Sequence, residues 1–279
     1  MARLNEVRLV GFLLKNPTII NEGKIGEEKI SIKIRTTNRR IDGYRGKHFQ
    51  DILLFYDEPK LMPRLKQLKM LDLIDVEGVL NIATLNETSR CPICGETNIK
   101  YYTPLVCVRP KSFIKLNGLQ TTYEEDNRLP EMILSRYYQE TSNKIQLIGN
   151  VMTDPELIGT DAHPICRYCI KIEREYYIHT QSQLTADYPW VYTFSSDAKE
   201  DVTHLKQGSL IHIRGYLQSE KVNALIQCKN CHTDYTYPNQ RVSVIPYSVN
   251  YLAGYMTEKD IAMEKELKEK MEIYRHLND

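Results

Sequence analysis

Asn5, Val7, Gly11 and Pro17 recur as Asn143, Ile145, Gly149 and Pro155, each 138 positions later. Ile32, Lys33 and Ile34 recur as Ile170, Lys171 and Ile172 at the same spacing. Further on, Lys69, Val76, Gly78, Cys91 and Cys94 match Lys206, Ile213, Gly215, Cys228 and Cys231 at a spacing of 137. A register held over this length makes the chain one fold written twice. Function therefore has to be read from the repeated unit and from what differs between its two copies.

Within the first copy, apolar alternation predicts strands near 7–14, 29–35, 49–56, 73–80 and 105–108. Leu61, Leu65 and Leu68 recur at helical spacing between the third and fourth strands. Gly11 and Gly78 fall inside strand patterns, where tight bends or bulges belong. The second copy repeats the order, with its helix in DAKEDVTHLK. Five strands with a helix between the third and fourth give a mainly β fold of two tandem five-stranded OB barrels. The expected division is barrel one over 1–118, a connector with its own helix over 119–142, barrel two over 143–253, and a C-terminal helix over 254–279. Met263, Leu267, Met271 and Tyr274 form one stripe on that last helix, expected to pack on its own domain.

Net charge is only +1, but it is unevenly spread. Lys and Arg outnumber Asp and Glu by 7 in residues 1–118, whereas residues 143–253 carry a balance of −1. The first copy is the better polyanion binder on charge alone. Neither a long apolar run nor an apolar leader is present, so the expectation is a cytoplasmic, nucleoid-associated protein with no membrane partner. No phosphate-cradling Gly-rich loop, paired-His metalloprotease motif or nucleophile–base set occurs, so an enzyme is not expected.

The strongest surface signal is YPWVYTF. In a strand, Tyr188, Trp190, Tyr192 and Phe194 share one face, while Val191 and Thr193 take the other. Stacking on exposed aromatics is worth about 1–3 kcal/mol per base and needs no sequence match. The first copy has Phe49 and Phe55, six apart as are Tyr188 and Phe194. Arg35 ends its second strand, and Arg39, Arg40, Tyr44, Arg45 and Lys47 follow in a basic loop suited to phosphates. The matching stretch of the second copy offers Arg174, Tyr176 and Tyr177.

Six of the seven Cys lie in three C-x-x-C pairs, which favours metal over disulfides. Cys166 and Cys169 with Cys228 and Cys231 make the preferred four-thiolate site for one structural zinc. The competing assignment joins Cys91 and Cys94 to Cys228 and Cys231, tying the copies together. Cys107, between two valines, reads as a buried thiol.

Several segments resemble bacterial single-stranded-DNA-binding proteins of the OB-fold type. NKIQLIGNVMTDPEL resembles that family's first strand and turn, LKQGSLIHIRGYLQ its helix end and fourth strand, and VSVIPYSVNYL its fifth. NEVRLVGFLLKNP and LDLIDVEGVLN show the pattern more loosely in the first copy. The resemblance implies base stacking by Tyr176, Tyr177, Tyr188 and Phe194, and by Phe49 and Phe55. It also implies a four-barrel assembly, hence a homodimer, coating single-stranded DNA in replication, recombination or repair, alongside replication or recombination proteins. The C-x-x-C pairs and the mixed-charge C-terminal helix depart from the ordinary pattern. An OB–zinc scaffold within a replication or DNA-transfer complex and a single-stranded RNA binder are the alternative functions.

Overall fold

The structure, a computed structural model, describes residues 3–24, 27–38, 48–97, 99–116, 128–176 and 183–278. The first copy comprises β1 (Leu4–Leu13), β2 (Thr18–Ile20), β3 (Lys29–Thr37), β4 (Phe49–Tyr56), the one-turn helix α1 (Met62–Leu65), β5 (Leu73–Ser89) and β6 (Ile99–Lys115). The connector contains α2 (Arg128–Ile133), which runs into a π-helical turn, Leu134–Tyr138. The second copy comprises β7 (Asn143–Val151), β8 (Glu156–Thr160), β9 (His163–Glu173), β10 (Ala186–Asp187), β11 (Trp190–Phe194), α3 (Ser195–His204), β12 (Leu210–Gln227) and β13 (Asp234–Ala253). Helix α4 (Glu258–Asn278) follows.

Each copy closes into a barrel in the same two places. β1 pairs antiparallel with β3 at Gly11↔Thr36, and β4 runs parallel to β6 at Leu54↔Val108. In the second copy β7 meets β9 at Asn150↔Lys171, and β11 meets β13 at Val191↔Val244. The closing bends explain two of the repeated glycines. A Cβ on Gly11 or Gly149 would lie 2.6 Å from the carbonyl oxygen of Arg35 or Lys171, respectively. The fold is mainly β: two tandem five-stranded OB barrels, each with a helix between its third and fourth barrel strands, and a C-terminal helix. In the second copy the third barrel strand is broken into β10 and β11 by Tyr188 and Pro189.

The barrels are joined by an antiparallel pairing of their first strands, from Leu4↔Ile148 through Val7↔Ile145 to Leu9↔Asn143. Val7 and Ile145 are sequence equivalents and also direct partners, so a local two-fold axis passes through that pair. Val7, Leu9, Ile145 and Leu147 are all buried there, within one apolar cluster that spans both barrels. Burying a side chain of this size contributes roughly 1.5–3 kcal/mol. The repeated asparagines act beside the axis. The Asn5 side chain bridges the backbone of Leu80 at 2.8 and 2.9 Å, and Asn143 bridges Leu217 at 3.0 and 2.8 Å. Each amide continues the ladder with its neighbouring strand beyond the end of backbone pairing.

Around the same axis, each copy sends a long hairpin across the third barrel strand of the other. The β12–β13 hairpin lies over β4: Ser219 N donates to Gln50 Oε1 at 2.8 Å, and Asp51 N donates to Ser219 Oγ at 3.0 Å. The β5–β6 hairpin lies over β10: Ile82 N donates to Asp187 Oδ1 at 2.8 Å. Gln50 and Asp187 are equivalents at a spacing of 137, as are Ile82 and Ser219, so one contact is made twice with different chemistry.

The connector packs on barrel one. Leu134 is buried against Val10, Phe12, Leu71 and Leu73. Helix α4 departs from expectation. Met263, Leu267 and Met271 are 69%, 59% and 51% exposed, so the stripe does not pack on its own domain. The helix is held at its start instead. Thr257 and Asp260 cap each other's backbone, and Met256 N donates to the carbonyl of His204. The side chain of Tyr274 lies outside the described residues. Among the described residues no helix is long and apolar enough to cross a membrane.

Candidate nucleic-acid interface and metal centre

On the outer face of β11, alternation places the row as expected. Val191 and Thr193 are buried, while Tyr188 and Trp190 are 48% and 40% exposed, and Tyr192 and Phe194 are half-buried. Two guanidinium groups missed in the sequence flank these rings. Arg167 on β9 sits 5.2 Å from the Trp190 ring, and Arg241 on β13 sits 5.7 Å from the Tyr192 ring. Arg167 pairs with Glu156, and Arg241 with Glu220 at 2.9 Å. Exposed pairs of this kind are worth at most about 1 kcal/mol, so a phosphate can replace either carboxylate at little cost. Arg167 was legible in principle, because its parity on β9 puts it beside the row. Arg241 was not, because its position depends on how far the hairpin reaches.

Of the other expected binding residues, those that the structure describes are used elsewhere. Arg39, Arg40, Tyr44, Arg45, Lys47 and Tyr177 lie outside the described residues. Arg35 is tied to Asp51 through Nε at 2.8 Å and to Glu131 through Nη1 at 2.7 Å, which commits its charge to the connector. Phe55 is buried against Ala83, Cys107 and Leu53, so its six-residue spacing from Phe49 does not make it a stacking platform. Phe49 itself is partly buried against the connector cluster and meets the His48 ring edge-on. Arg174 and Tyr176 are drawn into the junction. Arg174 binds Asp187 through Nε and Nη2 at 2.7 and 2.6 Å, with the two side chains 3% and 0% exposed. Tyr176 Oη donates to the carbonyl of Leu80 at 3.0 Å, and burial pushes its phenol well above the usual range. Parity within one barrel cannot foresee this, because the other barrel's hairpin does the burying.

Where each hairpin crosses the opposite barrel a groove remains. The one over β4 is about 480 Å³ and polar, lined by Lys33, Arg35, Asp51, Glu220 and Lys221 beside Phe49. Its counterpart over β10 and β11 is about 450 Å³ and mainly apolar, lined by Ile82, Val106, Val222 and Val242 with Tyr188 and Trp190.

Behind β11 lies a buried carboxyl. Asp201 on α3 accepts from Tyr251 at 2.7 Å, Thr193 at 2.8 Å and Tyr168 at 3.2 Å. Burial raises its pKa to about 6 against the pull of the three hydroxyls. The folded value exceeds the unfolded one, about 3.9. Its stabilising contribution is therefore complete below pH 4 and is lost as pH rises through about 6. Urea unfolding at pH 4 to 7 should show wild type losing up to about 3 kcal/mol relative to Asp201→Asn over that window. Parallel pH profiles for the two proteins would refute this assignment.

The cysteines correct the preferred pairing. Cys91, Cys94, Cys228 and Cys231 have sulfurs all within 4.8 Å of one another. Cys91 to Cys231 is 3.8 Å and Cys94 to Cys228 is 3.6 Å. Four thiolates about 2.3 Å from a tetrahedral ion lie about 3.8 Å apart, so the set fits zinc. The two knuckles share one backbone. Gly95 N donates to the carbonyl of Cys91, and His232 N to that of Cys228. The fifth residue has positive φ in both, 76° at Gly95 and 55° at His232. The NH groups of Cys94 and Ile93 lower the Cys91 pKa, and hydrogen bonds from Thr233 lower Cys231 to about 6. Cys228 goes the other way, to about 11: the NH of Cys231 favours its thiolate, but burial and the neighbouring thiols outweigh that. Cys166 and Cys169 lie within β9, not in a turn. Three residues apart on a strand they face opposite sides, Cys166 into the core and Cys169 towards the carbonyl of Tyr188. Burial pushes Cys166 up to about 12 and raises Cys169 as well, as it does for Cys107.

Comparison with known proteins follows this division. Residues 142–235 match the model of the Single-strand binding protein family. No curated protein sequence matches the chain. Among solved structures, the wild-type single-stranded DNA binding protein from Thermus aquaticus is similar at 17% identity and a TM-score of 0.57, covering 91% of this chain and 95% of that one. A deletion variant of the same Thermus protein is similar at 17% identity and a TM-score of 0.58, covering 91% and 97%. The second barrel is thus similar in sequence to the single-strand binding protein family, and the chain as a whole shares its fold with the Thermus protein.

Proposed function

We propose that this chain binds single-stranded DNA without regard to sequence and protects strands exposed during replication, recombination or repair. The observation that carries the reading is the outward row of Tyr188, Trp190, Tyr192 and Phe194 with Arg167 and Arg241 over its rings. Bases stack on the rings and phosphates exchange with Glu156 and Glu220 at the guanidinium groups. Four clustered thiolates on two hairpins support a closed structural zinc, which would pin the hairpins and take no part in chemistry. On this reading two chains pair to give four barrels, and the protein works in the cytoplasm, at the nucleoid, with replication or recombination proteins.

Trp190 is the sole tryptophan, so its fluorescence reports the site directly. Titration with oligo-dT should quench it, with affinity falling as salt rises. Trp190→Ala should weaken binding about tenfold, from a stacking worth of about 1–3 kcal/mol. Absence of both quenching and a gel shift at low salt would sink the proposal. An RNA oligomer competing equally would widen it to single strands of either sugar.

A further inference from the structure

The two junction grooves occupy equivalent places, yet only one is apolar. We infer that the groove over β10 and β11 is a pocket for a single unstacked nucleobase of the bound strand, built jointly by both barrels. The inference rests on the single-strand reading above and adds a defined seat to it.

Three observations carry it. First, the pocket opens at the end of the aromatic row, because Tyr188 and Trp190 belong both to its lining and to the exposed face. A strand stacked along β11 therefore arrives at the opening. Second, the size is right. About 450 Å³ lies within the range of roughly 300–1,000 Å³ typical of small-molecule sites and leaves ample room for one base. Third, divergence between the copies has changed its lining selectively. Asp51 of the polar groove is replaced by Tyr188, and Ser219 by Ile82, at the equivalent positions. The lining also holds Arg174 and Asp187, which pair with each other, and Asn239, Gln240 and Arg241. Its surface is mainly apolar, so the aromatic and aliphatic walls favour a base face over water, while Arg241 can take a phosphate of the same strand. Barrel one supplies Ile82 and Val106 to this slot, so the seat exists only because the hairpins cross.

The test uses the full chain with two probes of equal length: oligo-dT, and an abasic oligomer with the same phosphates and no bases. Val222→Trp and Leu184→Trp each place an indole in the slot, and Leu184, at 50% exposure, is the variant safer for folding. Both variants should bind oligo-dT about tenfold more weakly than wild type, from the worth of about 1–3 kcal/mol for one stacked base, with abasic binding unchanged. Photocrosslinking of oligo-dT carrying one 5-iododeoxyuridine should label the peptide containing Tyr188 and Trp190 in wild type and lose that label in the variants. If folded Leu184→Trp binds oligo-dT as wild type does, or if both oligomers weaken together, the pocket is refuted while the stacking row stands. If wild type binds neither oligomer, the stacking row falls too.

Discussion

Replacing Asp187 with Ala should destabilise the fold by about 3–5 kcal/mol, the cost of leaving a buried cation without its partner. Asp187 is fully buried and accepts four kinds of donor at the crossing of the hairpin. These are the Arg174 guanidinium, the backbone NH of Ile82, the Asn81 amide at 3.3 Å and, at 3.3 Å, the Tyr176 hydroxyl, whose single proton is shared with the nearer Leu80 carbonyl. Alanine strips the carboxylate from a guanidinium that is itself 3% exposed. Urea unfolding is the measurement. The equivalent change in the other copy, Gln50→Ala, removes neutral hydrogen bonds to Ser219 and strips no buried ion of its partner, and should cost about 1 kcal/mol. Pairing Asp187→Ala with Arg174→Met should recover part of the loss, because it leaves no charge buried, although the Ile82 NH and Asn81 amide still lack their acceptor. Equal costs at positions 50 and 187 would contradict the assignment.

The second large effect concerns the thiolates. The protein purified under reducing conditions should carry one zinc per chain. Ser at any of Cys91, Cys94, Cys228 or Cys231 should abolish tight retention, whereas Cys166→Ser and Cys169→Ser should keep it. Zinc present at about a thousand times its dissociation constant contributes about 4 kcal/mol. Chelation should therefore lower the melting temperature by about 10 °C. Most of that loss belongs to the hairpin tips, where Ile99, Ile226 and Tyr235 pack around the sulfurs. Loss of zinc from the Cys166 or Cys169 variants would restore the pairing that strand geometry argues against, and a zinc-free wild type after reconstitution would remove the centre altogether.

Much of the fold could be read from the chain because its signals are local or periodic. Strand alternation, the glycines at the closing bends and the repeat spacing all act within one barrel, and they placed the row on β11. The remaining features depend on how the two barrels meet. Polar residues beyond Leu80, beginning at Asn81, look like a strand ending, yet the ladder with β6 continues to Ser89↔Ile99 because that stretch is the arm of a long hairpin. Once the arms outgrow the barrels, their tips converge, and Cys91 meets Cys231 across 140 residues. The arm of the first copy covers Arg174 and Tyr176 of the second, which parity within one barrel leaves exposed, whereas Phe55 is buried by Ala83 and Cys107 of its own copy. Cys166 and Cys169 show a different failure: a C-x-x-C spacing brings both sulfurs together only when a turn bends it.

The pairing of β1 with β7 has one more consequence. When two separate chains meet about a two-fold axis, their association weakens on dilution and every substitution appears on both sides of it. Here both partners share one backbone, which replaces a bulk concentration with a fixed local one. Barrel pairing in this chain should hold at any dilution at which the chain itself is folded. It also frees each side of the axis to mutate alone, and positions 50 and 187 have done so: a neutral amide on one side, a buried ion pair on the other.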